Sequence, residues 1–374
     1  MTNTEMWLWL SCTRLASAKI YKLYEMFESV ENIYTLSEST MRMTGFLTNA
    51  DINKLNDKST EEAQRIYDSI QNNNIKIITI DSPDYPESLR NLSDPPCVLY
   101  IKGKFIDLNR YASISIVGSR RPTQYGAYSA EYIAREVAKK GYIIISGLAD
   151  GIDSFAHTGA LMAEMPTVAV LGCGIDKVYP ASNTNLATKI VKDGMLISEY
   201  PPGTPPAKHR FPERNRIIAA LSLATAVIEA NENSGSLITS KLALELGKDI
   251  FALPGNITSP RSKGTNCLIR DGAYIITDPD DISTLYEERY KDFLYKKETD
   301  TLTVNKALVN SINSFDSNNI SQSIFDLLET GNKDFDTLCQ ELSLSSAELS
   351  AILLGLEIEG KIIQYALNVY GLKM

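Results

Sequence analysis

Seven short, almost wholly apolar runs between residues 113 and 277 constrain this chain more than any other feature. They read SISIV (113–117), YIIIS (142–146), TVAVL (167–171), MLIS (195–198), ATAVIEA (224–230), DIFAL (249–253) and AYIIT (273–277). A strand with one wet face alternates apolar and polar residues; these runs do not, so both of their faces are covered. Helical stretches separate them. Strands and helices in this alternation give a doubly wound, mostly parallel α/β sheet, whose ligands bind beyond the carboxyl ends of the strands.

The loops at those strand ends are unusual. In order they are GSRRP, GLADGID, GCGIDKVYP, EYPPGTPPAKHRFPERNRII, NENSGSLITS and PGNITSPRSKGTN. Glycine lets backbone N–H groups approach an anion closely, and a helix N-terminus adds partial positive charge. Such loops gathered at one sheet edge make a phosphate-binding rim. A dinucleotide fits them poorly. That fingerprint needs G-x-G-x-x-G after the first strand and an acid ending the second. Here the first loop is Gly118-Ser119-Arg120-Arg121, the second strand ends at Ser146-Gly147, and Gly172-Cys173-Gly174 has Lys177 at the third-glycine position. No Walker loop, G-x-S-x-G elbow or H-E-x-x-H occurs. Asp153 and His157 lie four apart on one helix face and could form an acid/base pair. With no nucleophile or metal motif beside them, a local structural role is the better reading, and no catalytic residue, metal or cofactor is expected. Glu199 and Glu229 are read as braces for the basic loops.

What remains is cationic. Arg120, Arg121, Lys177, Lys208, Arg210, Arg214 and Arg216 form a cradle, with Arg261, Lys263 and Arg270 farther off. Arginine forks match phosphate oxygens bidentately, and repeated phosphates suit this cluster better than one sugar nucleotide. Arg214 and Arg216 can instead pair with Glu213, Glu199 or Glu229. Gly118, Ser119, Gly147, Gly172, Gly174, Lys177, Asn215, Ser234, Gly235, Ser236, Lys263 and Asn266 complete the candidate phosphate-binding set. Tyr125, Tyr179 and Phe211 are candidate aromatic stacking platforms beside it, with core packing the favoured role for Phe211.

The net charge of −9 does not oppose this, because it is uneven. Residues 1–110 carry 12 basic and 15 acidic side chains, residues 286–374 carry 8 and 14, and the middle carries 17 of each. A local field at a concave site outweighs the global sum. Five scattered cysteines without a C-x-x-C pair fit a reducing compartment. No signal-like or membrane-length apolar run occurs, so a cytoplasmic location without a membrane partner is expected.

Read together, DSPDYPESLRNLSDPPCVLYIKG, VGSRRPTQYG, SGLADGIDSFAH, LGCGIDKVYPASN, SEYPPGTPPAKHRFPERNRIIAALS, VIEANENSGSLIT and LPGNITSPRSKGTNCLIRDGA closely resemble the DNA-processing protein A (DprA/Smf) family, in family order from about 77 to 282. The resemblance implies a Rossmann-like domain that binds single-stranded DNA in a basic pocket and forms a homodimer. It implies a non-enzymatic mediator that takes up single strands during natural transformation and helps load RecA, with single-strand-binding protein as a further partner. Gly118, Ser119 and Arg120 match the family's phosphate-binding turn. Where members often carry a base after YP, this chain has Ala181-Ser182, so Lys177 or Lys208 would supply that charge. The rival is a nucleotide-binding or nucleotide-cleaving enzyme of the related phosphoribohydrolase-like group. That group's P-G-G-x-G-T-x-x-E has no counterpart here with the glutamate at the required spacing.

The expected domains are therefore a helical, SAM or helix-hairpin-helix-like segment (1–75), an extended Rossmann-like domain (76–295), a polar linker (296–320) and a winged helix (321–374). In the first, MTGFLTNADINKL reads as helix, turn, helix, and a packing role is favoured over DNA contact. In the last, SSAELSAILLGLEIEG holds Glu348, Glu357 and Glu359 and no Lys or Arg. A recognition helix is basic, so this tail is expected not to grip duplex DNA.

Overall fold

The computed structural model describes residues 1–296 and, farther on, 323–328, 331–342, 344, 349–350, 352–353, 356, 361–366 and 369–372. The chain divides into two compact units, Met1–Tyr295 and Lys296–Met374. The first is built on a nine-stranded sheet: β1 (Lys76–Thr79), β2 (Val98–Gly103), β3 (Ser113–Val117), β4 (Ile143–Ser146), β5 (Thr167–Val170), β6 (Met195–Ser198), β7 (Ala224–Val227), β8 (Asp249–Ala252) and β9 (Tyr274–Ile275). Their order is β1-β2-β6-β5-β4-β3-β7-β8-β9. All seven predicted strands are present, but AYIIT gives only the two-residue edge strand β9, whose Tyr274 and Ile275 are exposed, so the cover expected on both its faces is missing there. The ladders joining β3 through β9 are parallel, with Ile114 opposite Ile144 and Ala224. Strands β3 to β7 are buried along their whole length, as their unalternating sequences require.

Helices α7 (Gln124–Lys139), α8 (Ile152–Met162), α9 (Thr184–Asp193), α10 (Arg210–Leu221), α11 (Gly235–Glu245), α12 (Lys263–Arg270) and α13 (Asp280–Tyr290) make the crossovers and the closing helix. From β3 the chain winds outward through β4, β5 and β6, then returns to the other side of β3 at β7. The direction reverses between β3 and β7, which makes the carboxyl end of that pair the topological switch point.

Two antiparallel strands extend the sheet beyond β6. In the proline-rich stretch 81–103 the run CVLYI reads as a strand and is β2, whereas KIIT, which forms β1, gave no such reading. The preceding six helices are α1 (Asn3–Cys12), α2 (Ser17–Phe27), α3 (Val30–Tyr34), α4 (Glu38–Met43), α5 (Asn49–Asn56) and α6 (Glu61–Asn72). Trp7, Leu8, Trp9 and Leu10 are four consecutive buried residues, so α1 is enclosed on every side. Trp7 Nε1 donates to Asp81 beyond β1, 3.0 Å away. One hydrophobic cluster runs from these helices into the face of the sheet. The boundary near residue 75 is thus one of topology and not of packing. The expected helix, turn and helix are α4, Gly45 at φ +75° and α5. Its buried Asp51 closes a capping box with Thr48 and pairs with Lys19 at 2.5 Å.

The second unit has its own small core around Ile324, Leu328, Leu338, Leu349, Leu353 and Ile362. It contains the helical segment 323–328, β10 (Lys333–Asp334), α14 (Phe335–Leu342), β11 (Ile362–Ala366) and β12 (Val369–Leu372) in a sheet ordered β10-β12-β11. Helices at SQSIFDLLET and KDFDTLCQEL and a strand pair at KIIQYALNVYGLKM are what a winged helix in this segment predicts, and the described parts of all of these are present; the third helix it predicts, at SAELSAILLGLEIEG, lies largely outside the described residues. The linker assignment falls almost wholly outside the described residues, as do Glu348, Glu357 and Glu359.

Candidate functional site

A cleft of about 190 Å³ opens at the switch point, lined by Val117, Gly118, Arg120, Ala149, Asp153, Phe211, Arg214, Asn215, Ser234, Gly235, Ser236 and Thr239. A smaller recess beside it, between Arg120, Gly147, Asp150, Tyr179, Phe211 and Arg214, continues toward the loop after β5. The loops following β3, β4, β5, β6 and β7 therefore converge as their sequences suggested.

The place where a dinucleotide would set its pyrophosphate is filled by the protein itself. That place is the N-terminus of α7, the helix following the first parallel strand. There the Glu229 carboxylate accepts from the Thr123 backbone N–H at 2.8 Å and hydrogen-bonds the Thr123 hydroxyl. Glu229 is buried, and a Cβ on Gly126 would stand 2.4 Å from its carboxyl carbon. Ser119 N–H donates to Glu229 O, and Ser119 O accepts from Ile152 N–H. Ser119 thus ties the first turn to the loops after β4 and β7, and the Arg120 and Arg121 side chains of that turn are exposed. Other glycines of the rim also admit side chains: a Cβ on Gly147 would meet the Arg214 guanidinium at 2.5 Å, and one on Gly172 would meet the Phe211 ring at 2.8 Å.

Arg214 forms the floor. It is 4 % exposed, and its Nη1 donates to the carbonyls of Gly147 and Val170. Asp153 accepts from the backbone N–H groups of Gly147 (3.1 Å) and Ala149 (3.4 Å), pinning the loop after β4. Burial pushes the Asp153 carboxyl up, opposed by the charge of Arg214. His157 is fully buried, and its Nδ1 is bonded to Thr167 Oγ1 at 2.8 Å. Thr167 gives its own proton to Ile144 O, so His157 is the donor at Nδ1. Asp153 and His157 thus take separate structural partners. Burial, with help from Arg214, lowers the His157 pKa from 6.5 to about 3. A histidine depressed in the folded state contributes stability above pH 6.5 that is lost as pH falls toward 3. Urea titrations should show this contribution falling by up to about 1.4 kcal/mol per pH unit between roughly pH 6 and 4 in the wild type, and the decline should be shallower in His157→Asn. Equal pH dependence would contradict the assignment.

Above the floor stands a ladder of π and cationic groups. The Arg120 guanidinium lies 5.3 Å from the centre of the Phe211 ring, and Phe211 stacks on Tyr179 at 5.3 Å with 27° between planes. Tyr179 is half exposed. Phe211, for which core packing was favoured, is instead a shared wall of both recesses. Among the described residues, Arg120, Arg121, Lys177, Lys208, Arg210 and Arg261 have no carboxylate within 4 Å, whereas Arg14, Arg42, Arg65, Arg90, Arg110, Arg135, Arg216 and Arg270 each do. Arg210 lies over Tyr200 instead.

The remaining candidates separate. Arg216 takes its pairing alternative: it is buried, with Nη2 2.7 Å from Glu199 and Nε 3.0 Å from Asp94, and it is not part of the cleft. Glu199 is the brace foreseen for it. Asn266 spends its amide on the backbone of Gly255 (3.0 and 3.1 Å), and Lys263 lies 3.9 Å from Glu232. Asn215 accepts from Arg214 Nε at 3.2 Å. Ser234 caps α11 by accepting from Ser236 N–H, and the space beside Gly235 is open. In the loop after β5, Gly174 N–H donates to Thr204 O, and Lys177 N–H closes back on Gly174 O. Ser182, at the position where a base was missing, donates to Asp150 at 2.8 Å. Ala149, Asp150 and Thr239 lie in the GLADGID and NENSGSLITS loops but were not singled out, since they carry neither a cationic nor a glycine signal.

Fold and site together define a doubly wound α/β protein with a cationic, aromatic-walled cleft at its switch point, suited to a polyanion. The sequence pattern described as DNA recombination-mediator protein A matches residues 76–287, and that of the DprA winged-helix domain matches 313–366. The chain belongs to the DNA recombination-mediator protein A family. It is 40 % identical over 225 residues to the DNA processing protein DprA of Bacillus subtilis, covering 60 % of this chain and 76 % of that one. The X-ray structure of DprA from Streptococcus pneumoniae superposes with a TM-score of 0.68 at 34 % identity, covering 76 % of this chain and 98 % of the other. DNA processing protein A from Helicobacter pylori, described by its single-stranded DNA binding mode, gives 0.52 at 34 % identity, with 57 % and 97 % covered. Among the described residues no helix is long and apolar enough to cross a membrane.

Proposed function

We propose that this chain binds single-stranded DNA in the switch-point cleft and acts, without catalysis, to load RecA onto single strands that single-strand-binding protein would otherwise occupy, including strands entering by natural transformation. The observation that carries the reading is the switch-point cleft itself, where the exposed Arg120 and the buried Arg214 line a recess walled by the stacked Phe211 and Tyr179 rings. Cations bind successive phosphates and release counterions, while exposed rings accept any base. The homodimer implied by the resemblance would hold one strand at two clefts and gain avidity. The C-terminal unit, with its acidic balance, would meet protein and not duplex DNA.

The test is RecA filament formation on single strands precoated with single-strand-binding protein. Adding the wild-type protein should shorten the lag, and Arg120→Ala should restore it. A lag unchanged by the wild type contradicts the loading role. Anisotropy with single-stranded and duplex oligonucleotides tests the ligand separately: equal affinity for both contradicts the single-strand reading.

A further inference from the structure

Helix α7 starts in the loop that carries Arg120 and Arg121 and exposes a row of rings the cleft does not use. Tyr125 is 52 % exposed and Tyr128 68 % exposed, although one face of the helix is fully buried through Ala130, Ile133, Ala134 and Val137. Tyr128 and Tyr132 lie nearly parallel, 6° between planes and 6.0 Å between centres, and the Arg135 guanidinium sits 5.6 Å from the Tyr132 ring. Tyr125 is held by a 3.2 Å hydrogen bond from its hydroxyl to Pro254 O. Residues 125, 128, 132 and 135 are spaced by three, four and three, so they form one stripe along the solvent face. At 1.5 Å per residue, Tyr125 to Tyr132 spans about 10 Å.

We propose that this stripe is a second contact for single-stranded DNA, carrying the bases of the strand as it leaves the cleft past Arg121. The inference rests on the cleft being a single-strand site. Continuity favours that occupant, since the stripe begins within one helical turn of the loop bearing Arg120 and Arg121. The Glu136 carboxylate beside the stripe does not stand as a free negative charge against a phosphate chain, since Arg135 and Lys139 both pair with it. A flat ring with a guanidinium over it is a sequence-tolerant surface for nucleobases.

Two oligothymidylates separate the contacts, one of about 6 nucleotides that fits the cleft and one of about 30 that also reaches the stripe. The double variant Tyr128→Ala/Tyr132→Ala should bind the long strand roughly 10- to 100-fold more weakly and the short one within about twofold of wild type. Tyr128→Phe/Tyr132→Phe should retain wild-type affinity for both. Arg120→Ala should weaken both lengths. Unchanged long-strand affinity in the alanine double variant, or equal loss at both lengths, overturns the stripe while leaving the cleft standing. Altered self-association with unchanged DNA affinity, read by sedimentation, would assign the face to a second copy and overturn it too. If the wild type binds neither length, the single-strand reading itself falls, and the stripe with it. Unchanged thermal midpoints verify folding.

Discussion

Arg214→Met is expected to lower the unfolding free energy by about 2–6 kcal/mol, since two buried carbonyls each lose their donor at about 1–3 kcal/mol. The guanidinium supplies hydrogen bonds to Gly147 O and Val170 O and opposes the burial penalty on Asp153. Without it, two carbonyls and a carboxylate stay buried and undercompensated, and the space that Gly147 keeps open loses its occupant. Asp153→Asn alone would leave Arg214 without its counter-charge. The double variant should therefore cost less than the two singles summed, with a coupling of about 0.5–3 kcal/mol. Urea unfolding of the four proteins reads this directly. Strict additivity would show that Arg214 and Asp153 do not act as a pair. Because Arg214 also floors the cleft, weaker DNA binding by these variants would not separate contact from collapse.

Arg120→Ala separates them. Its side chain is exposed, has no carboxylate among the described residues and touches the protein chiefly through the Phe211 ring. Its removal should leave the unfolding midpoint unchanged, as for surface substitutions generally. Affinity for single-stranded DNA should nevertheless fall roughly 10- to 100-fold, the scale of one or two charge-assisted hydrogen bonds to phosphate at 1.5–3 kcal/mol each. Arg120→Lys should recover only part of the loss, because a lysine keeps the charge but neither forks nor lies flat on Phe211. Equilibrium anisotropy checks both. Full recovery by lysine would mean that charge alone matters, and that the ring stack is packing.

The architecture was legible because burial on both faces erases alternation. ILE and VAL runs such as YIIIS can be little else in a chain with intervening helices. β1 was not read from KIIT, whose pairing with β2 depends on a partner more than twenty residues away. Arg120 was legible since nothing in its turn could neutralise it. For Arg216 the pairing with Glu199 was legible as an alternative, but its second partner Asp94, 122 residues earlier in the proline-rich stretch 81–103, was not. The rim glycines were read for close approach to an anion, and the structure adds a further use at three glycines. Gly126, Gly147 and Gly172 make room for Glu229, Arg214 and Phe211, and only coordinates reveal which side chain fills a missing Cβ. The stripe on α7 was present as YGAYSAEYIAR, but only Tyr125 was singled out as a stacking platform; Tyr128 and Tyr132 carry no signal until the solvent face of the helix is known.

The central claim is that the cleft holds a chain of phosphates. A salt series with labelled single-stranded oligonucleotide and with a mononucleotide tests it most directly. Log affinity for the single strand should fall linearly with log salt at about 0.7 per neutralised phosphate, with a slope indicating several phosphates, while the mononucleotide binds far more weakly. A mononucleotide bound as tightly as the strand, with a slope near that of one phosphate, would contradict the account.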